Sequence, residues 1–182
     1  MDRTELESIL KKAISGDQIA CDVLYTEYAQ PLYGYIYSRI GNRLDAEDIL
    51  QDVFIKIFRN LKSIKIGPDG VRPYFYTITR NTIIDFYRKK IPEDTSEDLN
   101  FIPYEGNTAF EDMMVKESKI ELNKILDLLP ADAREIVILR YISGLSNKEI
   151  SKIVGKKEDS LRQTESRSLR FLKSKLHKKN EK

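Results

Sequence analysis

The stretch from Leu128 to Leu176 constrains this chain most, because two helical periodicities meet there across a break of a few residues and the second carries a basic face. Ile150, Ile153 and Val154 mark one side of a short helix. Ser146, followed three residues later by Glu149, is a capping-box pair directly after Gly144, and Gly155 supplies the stop. After Lys156, Lys157 and Glu158 a second apolar series begins at Leu161 and continues through Leu169, Leu172 and Leu176, with small Ser168 among them. Its opposite side collects Arg162, Gln163, Ser166, Arg167, Arg170 and Lys173. These are amide and guanidinium groups that can bond base edges, set among charges that hold phosphate. The pattern predicts a helix-turn-helix with a recognition helix. A solvated basic face on a helical hairpin has the same appearance, so this motif does not decide alone.

Charge elsewhere points the same way. Residues 1–61 carry 7 basic and 10 acidic side chains, residues 62–91 carry 7 and 2, residues 92–127 carry 3 and 10, and residues 128–182 carry 14 and 7. Two basic blocks separated by an acidic one suit a chain that touches a polyanion at two places and keeps its connector off it. The single cysteine, Cys21, excludes an internal disulfide and fits a reducing compartment. No apolar run approaches a membrane span and residues 1–10 lack a signal-peptide core, so a cytoplasmic protein with no direct membrane insertion is expected.

The N-terminal half reads as consecutive helices. Thr4 and Glu7 suggest a capping box for a short helix ending near Gly16, and a long helix follows from Gln18 to Ile40, containing Pro31 and closed by Gly41. Its tyrosines, Tyr25, Tyr28, Tyr33, Tyr35 and Tyr37, are spaced as core and boundary residues, although such rings also serve as stacking platforms. Asp45 is expected to cap the next helix, with Glu47 and Asp48 in its first turn. Ala46, Ile49, Leu50, Val53, Phe54, Ile57, Phe58 and Leu61 form a wide apolar stripe there. The other side holds Glu47, Asp48, Gln51 and Asp52 around Ile55. An apolar spot rimmed by carboxylates has the composition of a protein interface, and single exposed apolar residues are also common.

Residues 62–72 form a breaker-rich loop, after which a helix is predicted from Pro73 to about Lys90. Tyr74 and Phe75 open it, Arg80, Asn81 and Asp85 lie on its polar side, and Arg88, Lys89 and Lys90 end it. Rings, an amide and a basic end can stack on bases, read an edge and hold phosphate; equally, rings in the core and a dipole-complementing basic terminus explain the spacing. From Pro92 the pattern dissolves into a proline-containing acidic linker, whose ~25 residues have a typical end-to-end distance of ~25 to 30 Å. Two helices then precede the helix-turn-helix, one from near Ser118 to Leu129 and one from Asp132 to Ile142, separated by Pro130.

Three segments together carry a family resemblance: Asp45-Ala46-Glu47-Asp48-Ile49-Leu50-Gln51-Asp52-Val53-Phe54; Tyr74 to Arg88 with Asn81 and Asp85 inside; and Leu129-Pro130 with Gly144-Leu145-Ser146-Asn147-Lys148-Glu149-Ile150. In this order the chain resembles a bacterial RNA polymerase sigma factor of the extracytoplasmic-function group, within the sigma-70 superfamily. The resemblance implies an all-α fold of two small helical domains. Residues 1–91 would bind polymerase core and recognise and melt the minus-ten element, 92–117 would be linker, and 118–182 would bind the minus-thirty-five element.

It further implies that Asp45, Asp48, Gln51, Asp52 and Ile55 contact the clamp helices of the polymerase largest subunit. Tyr74, Arg80, Asn81, Arg88 and Lys89 would serve minus-ten DNA, where extruding a base costs a few kcal/mol that stacking and edge contacts offset. Lys157, Arg162, Gln163, Ser166, Arg167 and Arg170 would face minus-thirty-five duplex. Core polymerase, promoter DNA and an anti-sigma factor are the implied partners. The chain departs from the family at Tyr74, where Trp is usual, and at Thr164 and Glu165, where Arg and an apolar residue are usual; Glu165 puts a carboxylate near the phosphates or the core.

No catalytic constellation, cofactor loop or metal-ligand spacing is visible, and the one histidine, His177, has no partner pattern, so no enzyme, metal or cofactor is expected. The competing function is a two-domain helix-turn-helix regulator that does not bind polymerase core. The basic, aromatic-led helix at 73–90 argues against it.

Overall fold

The structure, a computed structural model, describes residues 3–63, 70–90 and 124–180, and among these all regular structure of any length is helical. The expected linker at 92–117, most of the loop at 62–72 and the start of the helix expected near Ser118 lie outside the described residues. In the first half α1 (Arg3–Ile14), α2 (Gln18–Ile40), α3 (Arg43–Arg59) and α4 (Arg72–Lys90) enclose one core. Helix α2 is its axis. Asp17 accepts from the Ala20 amide at one end, and at the other Gly41, at φ 72°, donates its amide to the Tyr37 carbonyl. Leu24, Leu32, Tyr35 and Ile36 are fully enclosed. Phase follows from the apolar stripe of α3, which turns Ala46, Ile49, Val53 and Ile57 inward. Phe75 of α4 packs edge-on against Tyr28, ring centroids 4.8 Å apart, so Phe75 and buried Tyr76 belong to the core and not to a base-stacking platform.

Two helix caps differ from expectation. Helix α1 already includes Arg3, which puts Thr4 inside it and not at its cap. Helix α3 is capped by Asn42, whose side chain accepts from the Asp45 amide at 3.1 Å in an extended backbone (φ −105°, ψ 130°). Asp45 therefore lies in the first turn, where it also pairs with Lys90 at 3.5 Å.

In the second half, a turn of helix at 124–126 leads through Pro130 into α5 (Ala131–Val137), continued by a wide π-turn, Ile138–Ile142. A regular α-helix was expected to run to Ile142. Instead Ser143 donates to the Ile138 carbonyl five residues back, and adjacent Ile138 and Leu139 are both buried. Then come α6 (Asn147–Val154) and α7 (Glu158–Asn180). Leu161, Ser168 and Leu172 form the buried seam of α7, whereas Leu169 and Leu176, expected on that seam, are exposed. The seam advances by seven and then four residues, a stripe too narrow to include Leu169, and Leu176 is 43% exposed.

The two halves touch. Helix α4 packs on α6, and α2 packs on the π-turn. Tyr28, Tyr35 and Tyr76 lie in or beside this seam, and burial raises the pKa of each, Tyr28 to about 12 from an ordinary 10. An unfolded chain ionises these phenols near pH 10 while the native chain holds them neutral. The contribution of each is thus complete below pH 10 and is lost at higher pH, for Tyr28 as pH rises toward 12. The denaturant midpoint should be insensitive to these groups at neutral pH and fall across that alkaline window, with Tyr28→Phe showing a shallower fall.

Candidate nucleic-acid interface and docking face

The helix-turn-helix is held at three points. Ser146 and Glu149 form the predicted capping box: the Ser146 Oγ accepts from the Glu149 amide at 3.2 Å, and the Glu149 carboxylate accepts from the Ser146 amide at 2.8 Å. Gly155 takes a left-handed conformation (φ 71°) that a side chain would strain, and Ser151 Oγ donates to the Lys156 carbonyl at 2.6 Å across the turn. The buried Leu161–Ser168–Leu172 seam then fixes the rotation of α7. Arg162, Gln163, Ser166, Arg167 and Arg170 are brought together on its exposed side, and Lys157 is exposed in the turn. Lys156 is not part of this face, since it pairs with Asp132. Arg162 lies 3.6 Å from both Glu158 and Asp159, exposed carboxylates that a polyanion would have to displace.

Glu165 stands apart from that face. Its carboxylate accepts from the Tyr141 hydroxyl at 2.6 Å and pairs with Arg140 at 3.6 Å, and Arg140 also donates to the Leu145 carbonyl at 2.9 Å. The Tyr141 phenol is raised by the hydrogen bond to Glu165. The π-turn thus presents two side chains that anchor the recognition helix from behind. Sequence reasoning missed this anchor, because an apolar period does not show that a turn widens.

On α4, Asn81, Arg88 and Lys89 are exposed and Tyr74 is half-buried. Arg88 is 3.9 Å from Asp85. Arg80 is separated from these residues: it turns toward the second half of the chain, with its Nε 3.8 Å from Glu135.

On α3, Asp48, Gln51, Asp52 and Ile55 share one exposed face, and Ile55 is 47% exposed. Asp45 is partly covered and engaged with Lys90. Leu44, one turn before Asp48, is 71% exposed and extends the same face with a second apolar side chain. The sequence holds the signal for it, an apolar residue four positions before Asp48, but the apolar stripe drew attention inward.

The family model described as Sigma-70 region 2 matches residues 24–91, and that described as Sigma-70, region 4 matches residues 119–172. The chain is 37% identical over 132 residues to the RNA polymerase sigma factor SigZ of Bacillus subtilis, covering 72% of this chain and 73% of the relative. It is 26% identical over 175 residues to the ECF RNA polymerase sigma factor BldN of Streptomyces coelicolor, covering 94% and 66% respectively. Among solved structures, the sigma factor RpoE in complex with the anti-sigma factor NepR from Bartonella quintana superposes with a TM-score of 0.66 at 25% identity, over 86% of this chain and 96% of that one. CnrH, solved in complex with the cytosolic domain of CnrY, has the same fold, with a TM-score of 0.72 at 21% identity over 93% and 95% of the two chains.

Glu165→Ala is expected to lower the unfolding free energy by about 1 kcal/mol, since it removes the acceptor for Tyr141 and the partner of Arg140. Glu165→Gln should recover the part due to Tyr141, and thermal melts of the two variants measure the difference.

Proposed function

We propose a residue-level division of labour for this chain, which belongs to the sigma-70 family of RNA polymerase sigma factors and to its extracytoplasmic-function branch. The chain binds RNA polymerase core and directs promoter recognition, DNA melting and transcription initiation. It works as a binding factor, the chemistry of RNA synthesis belonging to the polymerase. The structure of RpoE with NepR supports an anti-sigma factor as a further partner. In this reading residues 1–91 carry core binding and the minus-ten functions, 92–117 connect, and 118–182 read the minus-thirty-five element. Among the described residues no helix is long and apolar enough to cross a membrane.

The observation that carries the reading is that one chain displays two unlike exposed faces, one acidic and apolar on α3 and one basic and amide-bearing on α7. The α3 face, from Leu44 through Asp48, Gln51 and Asp52 to Ile55, is the docking face for the clamp helices of the largest subunit. Ile55 fills the place of an apolar anchor and the carboxylates that of a polar rim. Asp45 contributes mainly by holding Lys90. On α4, Asn81 takes the edge of an extruded base, Tyr74 stacks, and Arg88 and Lys89 hold phosphate. On α7, Arg162 and Gln163 lie in the first turns, which enter the groove, while Ser166, Arg167, Arg170 and Lys157 meet the duplex backbone.

Ile55→Ala is expected to weaken association with purified polymerase core by about 2 kcal/mol, and the pair Asp48→Ala and Gln51→Ala to weaken it with helix content unchanged by circular dichroism. Unaltered affinity in a core pull-down would remove α3 as the docking face.

The α7 contacts separate by salt. Arg167→Ala or Lys157→Ala should weaken preferred and scrambled minus-thirty-five duplexes alike and reduce the magnitude of the salt slope by about 1. Gln163→Ala should cost ~1 to 3 kcal/mol on the preferred duplex only. A sequence-independent loss for Gln163→Ala would mean that another edge of α7 enters the groove.

A further inference from the structure

We infer that Glu165 is a positioning residue for minus-thirty-five recognition: through Tyr141 and Arg140 it sets the rotation of α7, and with it the base pairs that Arg162 and Gln163 can reach. The inference rests on the assignment of α7 to duplex DNA given above. Among the described residues of α7, none between Leu161 and Ser168 is buried, and Ser168 itself is small. That stretch carries Arg162, Gln163, Ser166 and Arg167. Apolar packing therefore grips α7 at Leu161 and again at Leu172, and leaves the reading stretch between them without a large inward side chain. Glu165 stands in the middle of this stretch, four residues after Leu161 and so on nearly the same side of the helix.

The anchor ties both helices of the motif to one turn. The Tyr141 hydroxyl donates to Glu165 Oε1 at 2.6 Å, Arg140 Nε lies 3.6 Å from the same oxygen, and the Glu165 side chain is 16% exposed. Arg140 Nη1 also donates to the Leu145 carbonyl at 2.9 Å, and the Leu145 amide donates to the Leu139 carbonyl at 3.0 Å. Leu145 is fully buried and directly precedes Ser146, the cap of α6. One guanidinium thus spans the entry to α6 and the middle of α7. The π-turn makes this possible, since it delivers Arg140 and Tyr141, adjacent in sequence, to the same carboxylate.

Small rotations of α7 have large effects at the groove. Side-chain ends lie ~6 Å from a helix axis, so a rotation of about 20° moves them by about 2 Å. A hydrogen bond to a base edge forms only within a window of about 0.5 Å, and all such bonds on the face would shift together. At 3.6 Å Arg140 also offsets the charge of the carboxylate, which keeps its repulsion of nearby phosphate small. A tie that served stability alone would change how much of the chain is folded. One that sets rotation changes which base pairs are read.

The test uses the full chain reconstituted with polymerase core on promoter templates randomised across the minus-thirty-five element, with transcripts sequenced to give a base-preference profile. Glu165→Ala should lower discrimination about 5-fold or more at several base pairs at once, because every contact on the face shifts. Tyr141→Phe, which removes one hydroxyl from an exposed residue, should alter the profile in the same direction and carries the test even where Glu165→Ala folds poorly. Combining the two should add nothing further. Glu165→Gln keeps an acceptor for Tyr141 and should restore most of the wild-type profile. Gln163→Ala is the comparison, relaxing a single base pair. A uniform fall on all templates after Glu165→Ala, with the profile unchanged, makes the anchor structural and overturns the inference. A uniform rise in both Glu165→Ala and Glu165→Gln, the mark of relieved phosphate repulsion, overturns it too. So does a Tyr141→Phe effect that persists in full without Glu165, which shows direct contact of Tyr141 with DNA. If Gln163→Ala relaxes its base pair while Glu165→Ala leaves the profile intact, α7 reads DNA and the positioning role fails. If the profile is indifferent to both, the assignment of α7 to that element falls with it.

Discussion

The backbone groups at helix ends set the terms for this structure. Each helix leaves amides at its start and carbonyls at its end without partners inside the helix, and a chain made of helices repeats that demand at every junction. Asp17, Asn42 and Ser146 meet it at three starts, Gly41 and Gly155 at two ends. Helix α6 depends on its caps most, since at eight residues it is too short to persist by helix propensity. Its box and its left-handed glycine fix the angle at which α7 leaves the turn. The direction of the basic face follows from them, so that the functional surface is an indirect result of hydrogen bonds that touch no ligand.

Electrostatics divide the molecule along a different line. Exposed pairs such as Arg43–Glu47 and Arg162–Glu158 are local and contribute little. The seam between the halves collects the withdrawn charges, Glu135, Glu149 and Arg134, and burial depresses the Arg134 pKa despite its pair with Asp127 at 2.9 Å. Among the described residues the chain thus puts its buried charges where two units meet, and the other buried polar side chains are uncharged hydroxyls such as Thr79, Thr82 and Ser168.

What could be read from the sequence divides by the range of the interaction. Helix α2 was legible to its last residue because Gly41 is a local signal and its apolar period is long. The capping box and Gly155 were legible for the same reason. Asn42 and Asp45 are both good caps three residues apart, and only the backbone conformation at Asn42 decides between them. The exposure of Leu169 and Leu176 and the widened turn at Ile138–Ile142 depend on what packs beneath them, which periodicity does not encode. The exposed faces of α3 and α7 were legible from helical phase, whereas the contacts proposed on them came from the family resemblance. The place of Arg80 was not legible, because its partner lies 55 residues away on α5 and no local pattern joins the two. Leu44 was open to view and was passed over for the inward stripe.

Tyr35 gives the molecule an optical property of its own. The chain has ten tyrosines and no tryptophan, so its near-ultraviolet emission comes from phenols alone. A phenol hydrogen-bonded to a carboxylate emits weakly, because the bond opens a proton-transfer route out of the excited state. Tyr35 makes such a bond to Glu135 across the seam, and Tyr141 makes one to Glu165 within the second domain. Separation of the two halves would therefore brighten Tyr35 and leave Tyr141 dark, a signal native to the chain that needs no dye.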